Sequence, residues 1–165
     1  MRIILVGFMG SGKSTIGKLL SERLFLPFLD LDEEILKRTG MTIPTIFSKF
    51  GEDTFRELER ETLLELLSAK ECIISTGGGA PVYKDNMDKI NESAVSVYLK
   101  AEFETLWDRI SKDSNRPLVS LGKEKVRELF EKRKPFYEKA KIKVRTDIYS
   151  PSETVDKILQ ELKLL

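Results

Sequence analysis

The residues best suited to chemistry in this chain form a glycine-rich segment near its start. Residues 7–14 read GFMGSGKS, which fits the pattern G-x-x-x-x-G-K-[ST], and they directly follow the apolar run 3–6. Glycines let the backbone curl so that successive N–H groups point at a polyphosphate, and a helix that begins near Lys13 adds its positive end. Lys13 can reach the β- and γ-phosphates, and the Ser14 hydroxyl can ligate Mg²⁺. The segment predicts a nucleotide-binding loop, and the alternative is a glycine-rich turn without a ligand.

Two carboxylates follow the next apolar run. Asp30 and Asp32 come directly after Phe28 and Leu29, and an extended chain would place both carboxylates on one side. One could hold Mg²⁺, directly or through water, while the other accepts a hydrogen bond from a substrate hydroxyl as a base or an orienting group. The alternative is structural, because Asp is an ordinary helix cap and acidic residues suit a first helical turn.

Three consecutive glycines follow a third apolar run. Gly77, Gly78 and Gly79 come straight after residues 73–76. Three glycines lose much chain entropy on folding and suit unusual backbone angles. We interpret them as a loop whose N–H groups meet a ligand that lies flat against the backbone. A tight turn beneath a helix is the alternative.

Three arginines stand where an anion could be bound. Arg56 lies near the start of a predicted helix, Arg116 precedes a proline in a polar stretch, and Arg133 stands two residues before Pro135. The planar fork of Arg matches carboxylate and phosphate. The chain has 28 basic residues, so an exposed surface role is the default for any one of them, and the local sequence does not single these out.

Composition limits the chemistry that is available. The 165 residues carry 28 Lys and Arg against 27 Asp and Glu, a net charge of +1, so no overall field favours nucleic acid. The chain has no histidine, which excludes histidine acid–base catalysis, histidine-bound zinc and a Ser-His-Asp triad. Carboxylates, Lys, Arg, hydroxyls, backbone amides and a bound metal remain, and phosphoryl transfer needs little more.

The sequence also bears on location and assembly. No apolar run approaches the roughly 20 residues that cross a bilayer, and the N-terminal run is too short for a signal peptide. The single cysteine, Cys72, excludes an internal disulfide and fits a reducing cytoplasm. We interpret Cys72 as a core residue rather than a reactive thiol. We expect one domain over residues 1–165, cytoplasmic and monomeric, with no membrane or nucleic-acid partner.

Strand-like and helix-like apolar spacings alternate along the chain. They predict strands near 3–6, 28–29, 72–75, 94–99 and 142–146, and helices over 15–24, 31–38, 43–50, 84–90, 103–110 and 123–139, after Gly51 and after Ser152. Ser152 is expected to cap the last helix, Pro135 to disturb the helix before it, and residues 111–122 to form a loop. Five strands separated by helices imply an α/β fold, a parallel sheet covered on both faces, with the chemical residues beyond the strands' carboxyl ends.

The order of the motifs resembles the shikimate kinase family over essentially the full length. The family's phosphate-binding loop, D-x-D segment, I-x-x-I-F element with its F-R-E-L-E continuation, triple glycine, lid motif and R-x-P-x-Y segment are matched by residues 7–15, 28–32, 43–59, 75–80, 116–118 and 133–137. The loop alone is shared by many nucleotide-binding proteins, whereas all six elements in order are specific.

The resemblance implies a P-loop kinase fold with a lid. This is a three-layer sandwich with a five-stranded parallel sheet in the order 2-3-1-4-5, a substrate-binding region at about 31–60 and a lid at about 111–122. It implies transfer of the γ-phosphate of ATP to the 3-hydroxyl of shikimate, with Mg²⁺, in the biosynthesis of chorismate and the aromatic amino acids.

The resemblance also implies a role for each matching residue. The nucleotide is held by Gly10, Ser11, Gly12, Lys13, Ser14, Thr15, Arg109 beside adenine, and Arg116. Mg²⁺ is held by Ser14 and Asp30, and shikimate by Asp32, Arg56, Gly77, Gly78, Gly79 and Arg133. Lys13, Asp32 and Arg116 serve catalysis, with Asp32 as base or orienting group. Phe47 and Phe55 would wall the substrate pocket, or simply pack in the core.

Two alternatives remain from the sequence. A gluconate or nucleoside-monophosphate kinase would share the fold, because fold alone does not define the acceptor. A regulatory nucleotide-binding module without catalysis would be marked by substitutions at Lys13, Asp32 or the arginines, and all of these residues are present.

Overall fold

The computed structural model describes residues 1–113 and 116–165, which alternate between strands and helices. The strands are β1 (Arg2–Val6), β2 (Phe28–Asp30), β3 (Cys72–Ser75), β4 (Val95–Lys100) and β5 (Ile142–Arg145). The helices are α1 (Lys13–Leu24), α2 (Leu31–Thr39), α3 (Ile43–Phe50), α4 (Glu52–Leu67), α5 (Asn86–Ser93), α6 (Phe103–Ile110), α7 (Lys123–Tyr137) and α8 (Pro151–Lys163). Short 3₁₀ turns cover Ala80–Val82 and Pro117–Leu121.

Within the described residues the strands form one sheet in the order β2-β3-β1-β4-β5, with every neighbouring pair parallel. This confirms the predicted order. The register pairs Ser75 with both Leu5 and Asp30, so β1, β2 and β3 end at the same edge. The chain therefore delivers the phosphate-binding loop, Asp30 and the triple glycine side by side.

The two faces of the sheet bury separate apolar clusters. On β1, Ile3 and Leu5 point to one face and Ile4 and Val6 to the other, as the period of two requires. The cluster that contains Ile3 and Leu5 packs under α1 and α8. The cluster that contains Ile4 and Val6 packs under α2, α4, α5, α6 and α7. The fold is the three-layer α/β sandwich that was predicted. Cys72 is 2% exposed, and this confirms its interpretation as a core residue.

Several element ends differ from the sequence prediction. Ser150, not Ser152, caps α8: its hydroxyl accepts from Glu153 N, and the Glu153 carboxylate accepts from Ser150 N. The predicted disturbance at Pro135 is not seen, since α7 runs on to Tyr137. A proline in the last turn removes only one backbone hydrogen bond before the helix ends.

The start of α5 and the segment 111–122 also differ from the sequence prediction. Helix α5 begins at Asn86, because Lys84 adopts a positive φ of 46°. The predicted loop 111–122 contains the 3₁₀ turn Pro117–Leu121, while its residues 114–115 lie outside the described part of the chain. Within that described part, none of the helices is long and apolar enough to cross a membrane.

Candidate active site

A large cavity opens at the carboxyl edge of the sheet. Its volume is about 1380 Å³, and it is walled by the loops after β1, β2 and β3 and by parts of α3, α4 and α7. The predicted site residues that line it are Gly10, Gly12, Lys13, Ser14, Thr15, Asp30, Asp32, Arg56, Gly77, Gly78, Gly79, Arg109, Arg116 and Arg133. One predicted residue, Ser11, does not line it. Residues distant in sequence thus share one cavity.

The phosphate-binding loop has the backbone that its glycines allow. Gly7, Gly10 and Gly12 have φ values of 152°, 83° and 97°, in the region that favours glycine. A methyl group on Gly10 would also lie 2.6 Å from Ile110 Cγ2. Gly12 is the N-cap of α1 and has no side chain to satisfy the first N–H groups of that helix. These N–H groups and the positive helix end make a site for an anion.

Lys13 is turned back onto the loop that carries it. Its Nζ donates hydrogen bonds to the carbonyls of Gly7, at 2.7 Å, and Phe8, at 3.0 Å. Burial, helped by the positive charge of Arg116, lowers the pKa of Lys13 to about 7. An anion in the loop would favour the charged form, so Lys13 is poised to gain a proton and a phosphate contact together.

Ser11 is held inside the loop rather than at the cavity. Its side chain is 1% exposed, and the described residues offer its hydroxyl no hydrogen-bond partner. Its backbone N–H donates to Phe8 O at 3.2 Å. The structure therefore separates Ser11 from the other residues of the loop predicted to bind nucleotide.

Asp30 and Asp32 both reach the cavity, but not through an extended chain. Strand β2 ends at Asp30, whose Oδ1 caps α2 by accepting from the N–H groups of Asp32, at 2.9 Å, and Glu33. Asp32 lies in the first turn of α2, so the expected strand alternation is wrong. Burial, and then the charge of Asp30, raises the pKa of Asp32 to about 6. Asp32 is thus a weakly acidic carboxylate beside the loop.

The triple glycine is packed against charged side chains. Methyl groups built on Gly77, Gly78 and Gly79 would lie 3.4 Å from Asp32 Oδ1, 3.0 Å from Arg133 Nη1 and 2.5 Å from Arg56 Nη2, respectively. None of the three glycines has a positive φ. The expectation of unusual backbone angles is therefore wrong. Close approach of Arg133 and Arg56 accounts for Gly78 and Gly79, whereas a methyl group on Gly77 would make an ordinary contact.

Two residues of the site were given no role by the sequence analysis. Glu59 is 1% exposed on α4 and accepts a hydrogen bond from Arg56 Nη1 at 2.8 Å. Burial raises the pKa of Glu59 to about 7, against the opposing charge of Arg56. The signal was present, because Glu59 shares the buried face of α4 with Phe55 and Leu63. The other is Tyr137, whose hydroxyl donates to Gly78 O at 2.6 Å.

The other three predicted arginines of the site lie in two places: Arg109 and Arg116 beside the phosphate-binding loop, and Arg133 beside the triple glycine. Arg109 on α6 donates to Gly10 O at 3.0 Å and to Thr146 O at 2.8 Å, so it links the phosphate-binding loop to the end of β5. Arg116 pairs with Asp113 at 3.2 Å at the start of the 3₁₀ turn. Arg133 on α7 faces Gly78, and its guanidinium carbon lies 5.9 Å from the centroid of the Phe8 ring.

Two aromatic rings, one on α3 and one on α4, form part of the cavity wall. The ring centroids of Phe47 and Phe55 are 4.9 Å apart, and both residues line the cavity. Phe55 is only 3% exposed, whereas Phe47 is 37% exposed. Phe55 is therefore mainly a core residue, and Phe47 is the ring that a ligand would meet.

A phosphate-binding loop on this sheet shares its cavity with Asp32 and with Arg56 and Arg133. This combination defines a P-loop kinase for a small anionic acceptor. A family model described as shikimate kinase matches residues 9–163. The shikimate kinase of Persephonella marina is 43% identical over 161 residues, which cover 98% of each chain. The structure of the Acinetobacter baumannii shikimate kinase in complex with shikimate superposes with a TM-score of 0.92 at 39% identity, covering 99% of this chain and 93% of that one.

This chain belongs to the shikimate kinase family and is an ATP-dependent kinase. The resemblance read from its motifs is confirmed. A gluconokinase from Sinorhizobium meliloti has a TM-score of 0.69 at 20% identity, covering 99% of this chain and 91% of that one. That likeness shows a shared fold alone, as the alternative of another small-molecule kinase anticipated.

Proposed function

We propose that the cavity transfers the γ-phosphoryl group of ATP to the 3-hydroxyl of shikimate, giving shikimate 3-phosphate and ADP. This is the step of chorismate and aromatic amino acid biosynthesis that the family name denotes. The observation that carries the proposal is one cavity that holds the phosphate-binding loop, Asp32 and two arginines. The arginines, Arg56 and Arg133, pack on the loop of residues 77–79, here called the glycine loop. A donor and an acceptor of the right charge can therefore meet there.

The nucleotide end is built from the loop and the start of α1. N–H groups around Gly10 and Gly12 hold the phosphates, and Lys13 leaves the carbonyls of Gly7 and Phe8 to bind the β- and γ-phosphates. Ser11, whose side chain is buried, would support nucleotide binding only through the position of its backbone in the loop. Thr15 follows at the cavity wall, Arg109 stacks on adenine, and Arg116 touches the transferring phosphate.

The acceptor end matches a carboxylated polyol. Arg56 and Arg133 approach Gly79 and Gly78 from two helices, so their guanidinium groups can grip one carboxylate between them. The N–H groups of the glycine loop, Gly77 included, would serve ring hydroxyls. Burial of Glu59 beside Arg56 keeps that guanidinium in place.

Asp32 is the group that orients and deprotonates the acceptor. With a pKa of about 6 it is mostly ionised at neutral pH and accepts a hydrogen bond from the 3-hydroxyl. As the new P–O bond forms and the bond to the ADP oxygen breaks, the hydroxyl proton passes to Asp32. Lys13 and Arg116 offset the charge that develops on the phosphoryl oxygens.

The donor set of the cavity fits Mg²⁺. This cation takes oxygen ligands and usually combines one or two protein groups with waters and substrate phosphates. Ser14 and Asp30 both line the cavity and would hold it. Asp30 caps α2 through Oδ1, and its carboxylate would hold the ion directly or through water. When bound, the ion supplies neutralisation of phosphate charge.

The segment around Pro117–Leu121 would act as the lid. Arg116, Pro117, Leu118 and Leu121 line the cavity wall. Closing this segment over the phosphates would exclude water, which competes with the hydroxyl as phosphoryl acceptor. The chain would work as a single domain and a monomer in the cytoplasm, without membrane or nucleic acid. Gel filtration at working concentration tests the monomer.

ADP release tests the proposal. The enzyme is given MgATP alone and then with shikimate, gluconate, AMP or CMP. Sustained ADP release only with shikimate supports the proposed acceptor. Release with gluconate or a nucleotide instead would show another small-molecule kinase. Nucleotide binding without release in any mixture would favour the regulatory module.

A further inference from the structure

Tyr137 is a buried hydroxyl at the last residue of α7. Its side chain is 0% exposed, and its ring packs on Tyr98 of β4 with centroids 5.3 Å apart. Burial raises the pKa of Tyr137 above its ordinary value, so the hydroxyl stays protonated and remains a donor. A polar group buried this deeply is costly without a partner, and its partner belongs to the acceptor end of the cavity.

The hydroxyl fixes the direction of one peptide in the glycine loop. It donates to Gly78 O at 2.6 Å. In a trans peptide the carbonyl of one residue and the N–H of the next point in opposite directions. Because the Gly78 carbonyl is held on the α7 side, the Gly79 N–H points to the opposite side. Gly79 itself lines the cavity.

The same hydroxyl lies beside Arg133. The two residues are four apart on α7 and share one helical face. A methyl group built on Gly78 would lie 3.0 Å from Arg133 Nη1 and 3.4 Å from Tyr137 Oη, so the three groups meet at one point. The positive charge of Arg133 lowers the pKa of Tyr137, against the larger effect of burial, as expected for two groups that lie close together.

We propose that Tyr137 is a positioning residue for the acceptor: its hydroxyl holds the Gly78–Gly79 peptide and the Arg133 guanidinium as one preformed unit. Tyr137 touches no substrate itself. The inference rests on the proposed function, since it names the support of the proposed acceptor end. It assigns a hydroxyl that neither the phosphate-binding loop nor the carboxylate chemistry uses.

Tyr137→Phe removes only the hydroxyl, and Tyr98→Phe is the matched control on the neighbouring buried ring. We expect Tyr137→Phe to raise the shikimate KM about tenfold, equal to ~1.4 kcal/mol, with kcat changed less than about twofold and the ATP KM unchanged. Tyr98→Phe should leave the shikimate KM at its original value. Melting temperatures of both variants report the shared loss of a buried hydroxyl.

An unchanged shikimate KM in Tyr137→Phe, or an equal rise in both KM values, would overturn the inference. A second variant, Arg133→Lys, tests whether Tyr137 and Arg133 act together on the glycine loop. It also provides a test of the proposal if Tyr137→Phe folds poorly. In that background, Tyr137→Phe should raise the shikimate KM by clearly less than tenfold, since the planar contact is already lost. Fully multiplicative losses would contradict a shared unit. Absence of shikimate turnover in the unmodified enzyme would instead overturn the proposed function, and this inference with it.

Discussion

Arg56 donates a hydrogen bond to Glu59 at 2.8 Å, one helical turn away on α4, and Glu59 is only 1% exposed. The carboxylate is thus buried behind the guanidinium that faces Gly79. Burial raises the pKa of Glu59 from its ordinary 4.5 to about 7. The protonation state of the buried Glu59 carboxyl therefore bears on the arginine that faces the glycine loop.

Glu59 should give the stability of the fold a measurable pH dependence. A carboxyl with a raised pKa binds more protons folded than unfolded, so its contribution to stability falls as pH rises from about 4.5 to about 7. Glu59→Gln should remove this slope, whereas Glu52→Gln, whose carboxylate is 66% exposed and 3.8 Å from the same arginine, should keep it. Urea unfolding at several pH values measures both, and parallel curves for Glu59→Gln and the parent would refute the role of burial.

The glycine loop should respond in a graded way to added methyl groups. Gly79→Ala places Cβ 2.5 Å from the Arg56 guanidinium, while Gly77→Ala meets its nearest atom, Asp32 Oδ1, only at 3.4 Å. We expect Gly79→Ala to raise the shikimate KM at least about tenfold, or ~1.4 kcal/mol, and Gly77→Ala much less. Steady-state kinetics with each substrate varied in turn measure this. The reverse order of the two variants would contradict the packing argument.

Nucleotide binding should draw a proton from solution above neutral pH. Lys13 has a pKa of about 7 in the free site, and phosphate contact restores its charged form. At about pH 8, MgATP binding should therefore take up close to one proton, measured by calorimetry in buffers of different ionisation enthalpy. Lys13→Arg, which is always charged, should lose the uptake. Equal heats in all buffers for the parent enzyme would contradict this.

Turnover should depend on the ionised form of Asp32. Because its pKa is raised to about 6, kcat/KM for shikimate should fall as the pH is lowered through that value. Asp32→Asn should retain ATP binding but lose roughly 10²–10⁴-fold in kcat. Glu33→Gln, the exposed neighbour in the same helical turn, is the control. A near-normal kcat for Asp32→Asn would remove Asp32 from the chemistry.

Arg133 should act on one substrate only. Arg133→Ala removes a carboxylate contact and should raise the shikimate KM far more than the ATP KM. Lys134→Ala, which removes the neighbouring charge on α7, should change neither, since Lys134 lies over the Phe130 ring outside the cavity lining. Similar rises in both KM values for Arg133→Ala would indicate general damage instead of lost recognition.

The sequence was most informative where the chemistry is local. The backbone of the phosphate-binding loop and the start of α1 could be predicted, because the glycines and Lys13 are contiguous, but the burial of Ser11 could not. The order of the strands came only through the resemblance, since periodicity does not say which strands pair. Asp32 was placed in the right cavity for the wrong reason: Asp30 ends the strand and caps the helix, so strand alternation does not apply.

The parts that escaped prediction depend on contacts between distant segments. Three glycines indicated a special loop, but only the packing of Arg56 and Arg133 against it shows that space, rather than φ, is the constraint. Glu59 could have been flagged as a charge on an apolar helical face, yet its partner and raised pKa follow from the fold. The capping pair Ser150 and Glu153 fits a local pattern, and choosing Ser152 overlooked it.

Phosphorus NMR of the product tests most directly whether this enzyme phosphorylates the 3-hydroxyl of shikimate. The enzyme is incubated with MgATP and shikimate, and the new phosphate signal is examined for coupling to the ring protons. Transfer to the 3-hydroxyl gives one phosphomonoester coupled to the proton on carbon 3, formed in step with ADP. Inorganic phosphate alone, or a monoester on another hydroxyl, would contradict it.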